Sequence, residues 1–310
     1  MSRVEAALHR AMTGAVAEPP PVENSQLPVP EPKGARDERA ATPAHWASVA
    51  ATVPASTPQA AAVPAPDPSQ DQHVRFRGFN AKHVEKLVIS PSLPHALRET
   101  FRRLGATLHH AQADSGMKLL MVTSAVPNEG KTLTATNVAL TLSESYQRRV
   151  LLIDGDLRRP SLGDVFDVPS VSGLNEALTS IPERRVSLIQ VSRHLSLLTA
   201  GAPDPDPMSA LTSHRMKTLL AEAAAAFDWV IIDTPPVGIL TDAKLLGSMV
   251  DAALLVIRAR RTPFPLIQQA IEAIGRNRII GVVLNRADLR HTTGANGYYS
   301  SYYYGGYSRR

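Results

Sequence analysis

From Leu119 onward short apolar runs alternate with helix-length segments, and this alternation limits the fold more than any other feature of the 310-residue chain. The runs cover residues 119–123, 150–153, 195–198, 229–232, 253–257 and 279–284. Each is apolar throughout rather than alternating, the pattern of strands covered on both faces. Strands and helices taken in turn predict an α/β fold, a mainly parallel sheet flanked by helices, with ligands at the carboxyl ends of the strands. A further amphipathic helix is predicted over residues 93–108, where Leu97, Phe101, Leu104 and Leu108 share one side. Another is predicted from about Met208 to Phe227, after the connector GAPDPDP, whose three prolines forbid regular structure.

Between the first run and a proline- and glycine-free stretch lies AVPNEGKT, residues 125–132. Strand, glycine-containing loop, Gly-Lys-Thr and helix in that order make a phosphate-binding loop. Backbone N–H groups at the helix start form an anion-binding concavity, so Ala125, Asn128, Glu129, Gly130, Lys131, Thr132 and Leu133 are candidate nucleotide-binding residues. Lys131 can reach the terminal phosphates, and the Thr132 hydroxyl can coordinate Mg²⁺. The usual first glycine is Ala125 here, still small enough for close backbone approach, and Asn128 tolerates left-handed dihedrals. The expected ligand is a nucleoside triphosphate.

Two runs end in aspartates that would lie beside this loop: VLLIDGD supplies Asp154 and Asp156, and VIIDTPP supplies Asp233. Mg²⁺ takes hard oxygen ligands and keeps several waters, so Thr132, the phosphates and one or two carboxylates suffice, with Asp154 and Asp233 as the candidate metal carboxylates. Asp154 and Asp156 are two apart and on a continuing strand would face the same way. One of them can orient the metal shell while the other accepts a hydroxyl proton, or both can bind metal; spacing does not divide these roles. Arg158 and Arg159 are within reach of the γ-phosphate or an acidic neighbour, or are solvated surface arginines. Asn285, ending the last predicted strand, is a candidate for adenine recognition, with a strand-end cap as the simpler alternative.

Composition divides the chain. Twelve of its 25 prolines precede residue 70, among Ala, Ser, Thr and Gln, so residues 13–75 read as a disordered linker. Ahead of it, MSRVEAALHRAM sets Val4, Leu8 and Met12 four apart, a candidate docking helix over residues 1–12. Residues 76–288 form the folded domain and 289–310 a flexible tail. The absence of cysteine removes disulfides and thiolate metal sites and fits a reducing compartment. No apolar run reaches the ~18–20 residues that span a bilayer, so the expectation is a cytoplasmic protein held at the membrane, if at all, by something else. A net charge of +5 without a basic stripe gives no indication of nucleic acid binding.

Six of the seven tyrosines, Tyr298, Tyr299, Tyr302, Tyr303, Tyr304 and Tyr307, fall within ten residues of the tail, a segment without Leu, Ile or Val. They have no core to serve. Beside a triphosphate site they read as phosphoacceptors, with a low-complexity stacking surface as the alternative.

On the loop TSAVPNEGKT, the motif LLIDGDLRRP, the strand IIDTPP and the tyrosine cluster, residues 91–310 resemble the bacterial P-loop tyrosine autokinases of capsule and exopolysaccharide export. The resemblance implies a P-loop NTPase fold, ATP and Mg²⁺. It also implies a catalytic shell of Lys131, Thr132, Asp154, Asp156 and Asp233, and tail tyrosines phosphorylated in trans within a homo-oligomer. It implies a separate transmembrane activator, a polysaccharide co-polymerase, holding the chain at the inner face of the cell membrane. The opening segment MSRVEAALHRAM also resembles the N-terminal helix of the exosortase-associated branch. One departure concerns the family's Glu-x-x-Arg-x-x-Arg oligomerisation motif, which Glu99 and Arg102 fit while the third position is Gly105. Two alternatives share the fold: a partition or septum-site ATPase, whose loop usually carries lysine where this chain has Val126, and a regulatory subunit of the export complex that binds nucleotide without useful phosphotransfer.

Overall fold

A computed structural model describes residues 75–169, 172–179, 186–238 and 241–287. Of these, residues 75–285 belong to one compact unit. The predicted docking helix, the linker through residue 74 and the tyrosine tail lie outside the described residues.

Seven strands form one sheet in the order β3-β4-β2-β5-β1-β6-β7: β1 Leu119–Ser124, β2 Val150–Asp154, β3 Ile189–Gln190, β4 Leu195–Leu198, β5 Trp229–Asp233, β6 Ala252–Arg258 and β7 Ile279–Asn285. Every neighbouring pair is parallel except β3 with β4. The six predicted runs are β1, β2, β4, β5, β6 and β7. Only β3 went unread, because two residues are too few for a periodicity. β1, β2, β4 and β5 are buried almost end to end, which is why their sequences are apolar at nearly every position.

The helices are α1 Ala81–Val84, α2 His95–Ser115, α3 Lys131–Leu140 with a π-helical turn Thr141–Ser145, α4 Leu162–Val165, α5 Leu174–Thr179, α6 Met208–Thr212, α7 His214–Ala226, α8 Thr241–Ser248 and α9 Phe264–Ile274. The helix predicted over 93–108 runs on to Ser115, where Gly116 at φ 71° ends it. The single helix predicted from Met208 to Phe227 is instead two. Ser213 adopts an extended conformation between them and its hydroxyl accepts the Met216 N–H, capping α7.

One face of the sheet presents Leu120, Val122, Val150, Leu152, Leu195, Leu197, Trp229, Ile231, Leu254 and Val256 to a core closed by α2, α3 with its π-helical turn, and α4 with Phe166. Residues 86–88 join this core by a side-chain clamp: buried Asn137 of α3 accepts the Val88 N–H at 2.8 Å and donates to the Lys86 carbonyl at 3.0 Å. Just before them Phe76 and Phe79 pack on Phe166, with ring centroids 5.0–6.1 Å apart. Asn80 and His83 both bond the Asp164 carboxylate of α4. The segment entering the domain is thus fastened to the two helices that border the site.

Gly105, at the third position of the oligomerisation motif, is buried on the inner side of α2. A Cβ there would lie 2.8 Å from Tyr146 Cε2 and 3.0 Å from Thr141 Cγ2. The Tyr146 hydroxyl donates to the Arg102 carbonyl at 3.0 Å, which fixes the ring. Position 105 therefore faces the protein, whereas half-buried Glu99 and exposed Arg102 pair at i,i+3. We expect Gly105→Arg to destabilise the fold by about 1–3 kcal/mol through overpacking, and Tyr146→Ala to relieve most of that loss; thermal unfolding of the single and double variants checks both.

Candidate active site

Chain direction puts the carboxyl ends of β1, β2, β5, β6 and β7 along one edge, because they are mutually parallel. The phosphate loop leaves β1 there and turns into α3. Asn128 at φ 63° and Gly130 at φ 92° make the turn with left-handed backbone, a conformation Asn and Gly adopt at least cost. Gly130 also has no room for a side chain: its Cβ would sit 2.1 Å from Asn285 Nδ2. The Thr134 N–H is the first to find a helical acceptor, the Gly130 carbonyl at 3.0 Å. The N–H groups of Lys131, Thr132 and Leu133 precede it and belong to the first turn, which has no intrahelical acceptors to offer.

The Glu129 side chain, 1% exposed, does not face outward with the concavity. Its Oε2 accepts the Ala125 and Val126 N–H groups at 3.0 and 3.3 Å. Its Oε1 accepts the Arg258 N–H at 3.3 Å and the Thr262 hydroxyl. Asn285 Nδ2 donates to the Glu129 carbonyl at 2.7 Å, so the β7 end carries the loop as well. On the other side, the loop after β5 closes in: the Val237 N–H donates to the Ser124 carbonyl at 2.9 Å. A Cβ on Gly238 would lie 2.7 Å from the Ala125 carbonyl.

Asp154 and Asp233 are register partners on β2 and β5 and are both fully buried. The Gly155 N–H donates to the Asp233 carbonyl at 2.7 Å, and the lack of a side chain on Gly155 lets the two backbones meet. β2 ends at Asp154, so the continuing strand that would have aimed Asp154 and Asp156 the same way does not exist. Asp154 turns back on the backbone, with Oδ2 accepting Ser161 and Leu162 N–H at 2.9 Å each and Oδ1 accepting Asp156 N–H at 3.2 Å. Asp156 keeps one oxygen on the Arg159 N–H at 3.1 Å and turns Oδ2 toward Lys131 Nζ, 3.7 Å away.

Burial dominates the electrostatics. It pushes the Asp154 carboxyl up to about 6, against the opposing effect of the Leu162 and Ser161 N–H groups. It pushes Asp233 up to about 7, opposed by the Lys131 ammonium and reinforced by Asp154. Asp156 is raised as well, again by burial and against Lys131. Both Asp233 oxygens are buried without a partner in bonding geometry; the Thr132 hydroxyl is near enough to favour the ionised form but bonds Ser161 Oγ at 2.9 Å. An orphaned carboxylate between a lysine and a loop-end threonine fits a hydrated divalent cation. Among the described residues no cluster of three or more His, Cys, Asp or Glu forms a protein-only cage.

Arg158 takes the acidic neighbour among its sequence alternatives. Its Nε donates to Asp242 Oδ2 at 2.6 Å and its Nη2 to Oδ1 at 3.3 Å, while Nη1 donates to the Pro205 carbonyl. Arg159 is exposed. Ser161, Thr262 and Asp242 are site-bordering residues the sequence reading missed. The pattern Ser161-x-x-Asp164 carried a detectable helix-start signal, yet the Ser161 hydroxyl makes no cap bond and goes to Thr132 instead.

No family model matches the chain. It is 35% identical over 235 residues to the tyrosine-protein kinase YwqD of Bacillus subtilis, covering 73% of this chain and 96% of that protein. It is 32% identical over 266 residues to the tyrosine-protein kinase etk of Escherichia coli K12, covering 80% of this chain but 34% of that longer protein. The kinase domain of Escherichia coli ETK superposes with a TM-score of 0.56 at 30% identity, over 61% of this chain and 77% of that one. The chimerical protein CapA2B2 does so with a TM-score of 0.58 at 28% identity, over 69% and 93%. A phosphate loop beside buried strand-end aspartates and near full-length similarity to a named kinase lead to one assignment: the chain belongs to the bacterial tyrosine-protein kinases, on a P-loop α/β fold.

Proposed function

We propose that this chain is an ATP-dependent protein-tyrosine autokinase whose acceptors are Tyr298, Tyr299, Tyr302, Tyr303, Tyr304 and Tyr307 of a neighbouring copy. The observation that carries this reading is the orphaned, fully buried Asp233 carboxylate beside Lys131 and Thr132. Thr132 and Asp233 would hold Mg²⁺, with Asp156 able to join them. Bound there, the metal supplies positive charge that offsets the phosphate oxygens as the γ-phosphoryl leaves.

The remaining work falls to this chain's own groups. Lys131 and the N–H groups of Lys131, Thr132 and Leu133 orient the triphosphate. The tyrosine hydroxyl attacks the γ-phosphorus in line, the bond to the bridging oxygen of ADP breaks, and the hydroxyl proton passes to a carboxylate of the Asp154–Asp156 pair. Burial raises both carboxyls toward working pH, which suits proton acceptance. Asn285, bonded to the loop carbonyl, acts on nucleotide by holding the loop.

Among the described residues no helix is long and apolar enough to cross a membrane. In the proposed setting a separate transmembrane activator holds the kinase at the inner membrane face, where the phosphorylation state of the tail regulates exopolysaccharide synthesis and export. Purified chain incubated with Mg-ATP should accumulate phosphotyrosine within residues 298–307, read by mass spectrometry. Nucleotide binding without phosphotyrosine would return the function to a binding-only regulatory subunit.

A further inference from the structure

We infer that Glu129 is a positioning residue that sets the affinity of the phosphate loop for nucleotide by tying the loop to the β6–α9 connection. This rests on the nucleotide assignment above. Four donors converge on one buried carboxylate: the N–H groups of Ala125 and Val126 within the loop, and the Arg258 N–H and Thr262 hydroxyl outside it. The first pair closes the loop on itself, three and four residues back from Glu129. The second fixes that closed ring to the end of β6, while Asn285 fixes the adjacent carbonyl to the end of β7. The Ala125 and Val126 N–H groups are consequently spent on the carboxylate, and the concavity left for phosphate is built from the residues after them. A buried negative charge this near a triphosphate site is unfavourable to the ligand by itself. Its contribution must therefore be order, holding the loop N–H groups convergent before nucleotide arrives.

The geometry makes a specific distinction between substitutions. Alanine at 129 leaves the Ala125 and Val126 N–H groups without an acceptor and frees the loop, while the Arg258 N–H and the Thr262 hydroxyl fall back on their mutual bonds, Arg258 N–H to Thr262 Oγ1 and Thr262 hydroxyl to the Arg258 carbonyl, both 3.2 Å. Glutamine keeps one acceptor oxygen, and its amide can face Thr262, whose hydroxyl can reverse and accept. Glu129→Gln should therefore retain more affinity than Glu129→Ala, and that advantage should vanish when Thr262→Val is added.

The test is calorimetric titration of Mg-ADP into the full chain and into Glu129→Ala, Glu129→Gln, Thr262→Val and Glu129→Gln/Thr262→Val, with circular dichroism and thermal unfolding confirming that each is folded. A tenfold or larger loss of affinity is expected for Glu129→Ala, matching one or more buried hydrogen-bonding groups left unpaired. Glu129→Gln and Thr262→Val should each lose about threefold to fivefold, and the double variant more than their product. In tail phosphorylation the KM for ATP should rise in step with the Mg-ADP Kd across the two single conservative variants, since the loss lies in binding. Folded Glu129→Ala with unchanged Mg-ADP affinity would overturn the inference, as would a double variant no worse than Glu129→Gln. If Glu129→Ala does not fold, the order of the three conservative variants decides. Failure of the unsubstituted chain to bind Mg-ADP would instead overturn the nucleotide assignment.

Discussion

Lys131→Met is expected to reduce tail phosphorylation by on the order of 10²–10³-fold or more, the scale seen when a single charge-stabilising group is removed from an active site. The side chain is 14% exposed and opposes the raised pKa of both Asp156, where Arg159 adds to it, and Asp233. Methionine keeps its length and loses its charge, so the triphosphate loses a partner and both carboxyls hold their protons to higher pH. The fold should survive, because the ammonium makes one 3.7 Å ion pair and lies outside the apolar core. Radiolabelled phosphate transfer and circular dichroism on the same preparation separate the two effects. Mixing Lys131→Met chains with copies truncated after residue 287 tests transfer between molecules: label should appear on the Lys131→Met tail. Phosphotyrosine formed by Lys131→Met alone at the unsubstituted rate would remove Lys131 from the mechanism.

Asp233→Asn should have two opposite effects. Without nucleotide it should stabilise the protein at neutral pH, and with Mg-ATP it should remove most phosphotransfer. The sign follows from the raised folded pKa of about 7 against an ordinary 3.8. Between those values the folded protein binds more protons than the unfolded chain, so stability falls as pH rises from about 4 to about 7, and the full cost of the buried anion is present above that. Asparagine does not titrate. Its advantage should be absent near pH 4 and grow to a few kcal/mol by pH 8, at about 1.4 kcal/mol for each pH unit separating the folded and unfolded values. Asp154, raised to about 6, leaves part of the same slope in the variant. Urea unfolding across pH 4–8 without nucleotide measures this. A variant less stable than the parent at pH 8 would mean that the carboxylate has a structural partner and is not held ready for a cation.

The strands were legible because burial on both faces writes itself into every residue, and the loop because Asn128, Gly130 and Lys131 must stand in fixed order where a strand becomes a helix. The different orientations of Asp154 and Asp156 were not legible. They depend on the chain turning after β2 so that Ser161 and Leu162 come back to Asp154, a bend no pairwise spacing announces. The Arg158–Asp242 and Thr262–Glu129 contacts join residues 84 and 133 apart in the chain, and such pairs emerge only when the sheet order is known. The split between α6 and α7 turned on Ser213, whose hydroxyl served better as a cap than its backbone did within one long helix.

The Asn137 amide has a practical consequence for anyone shortening this chain. Its two hydrogen-bonding groups are satisfied by the backbone of Lys86 and Val88, and the side chain is buried. A fragment begun at the start of β1, or even at α2, would strip both partners away and leave a thirsty carboxamide on the helix that begins with Lys131. The smallest autonomous catalytic piece therefore starts upstream of residue 86, well before the first strand of the sheet.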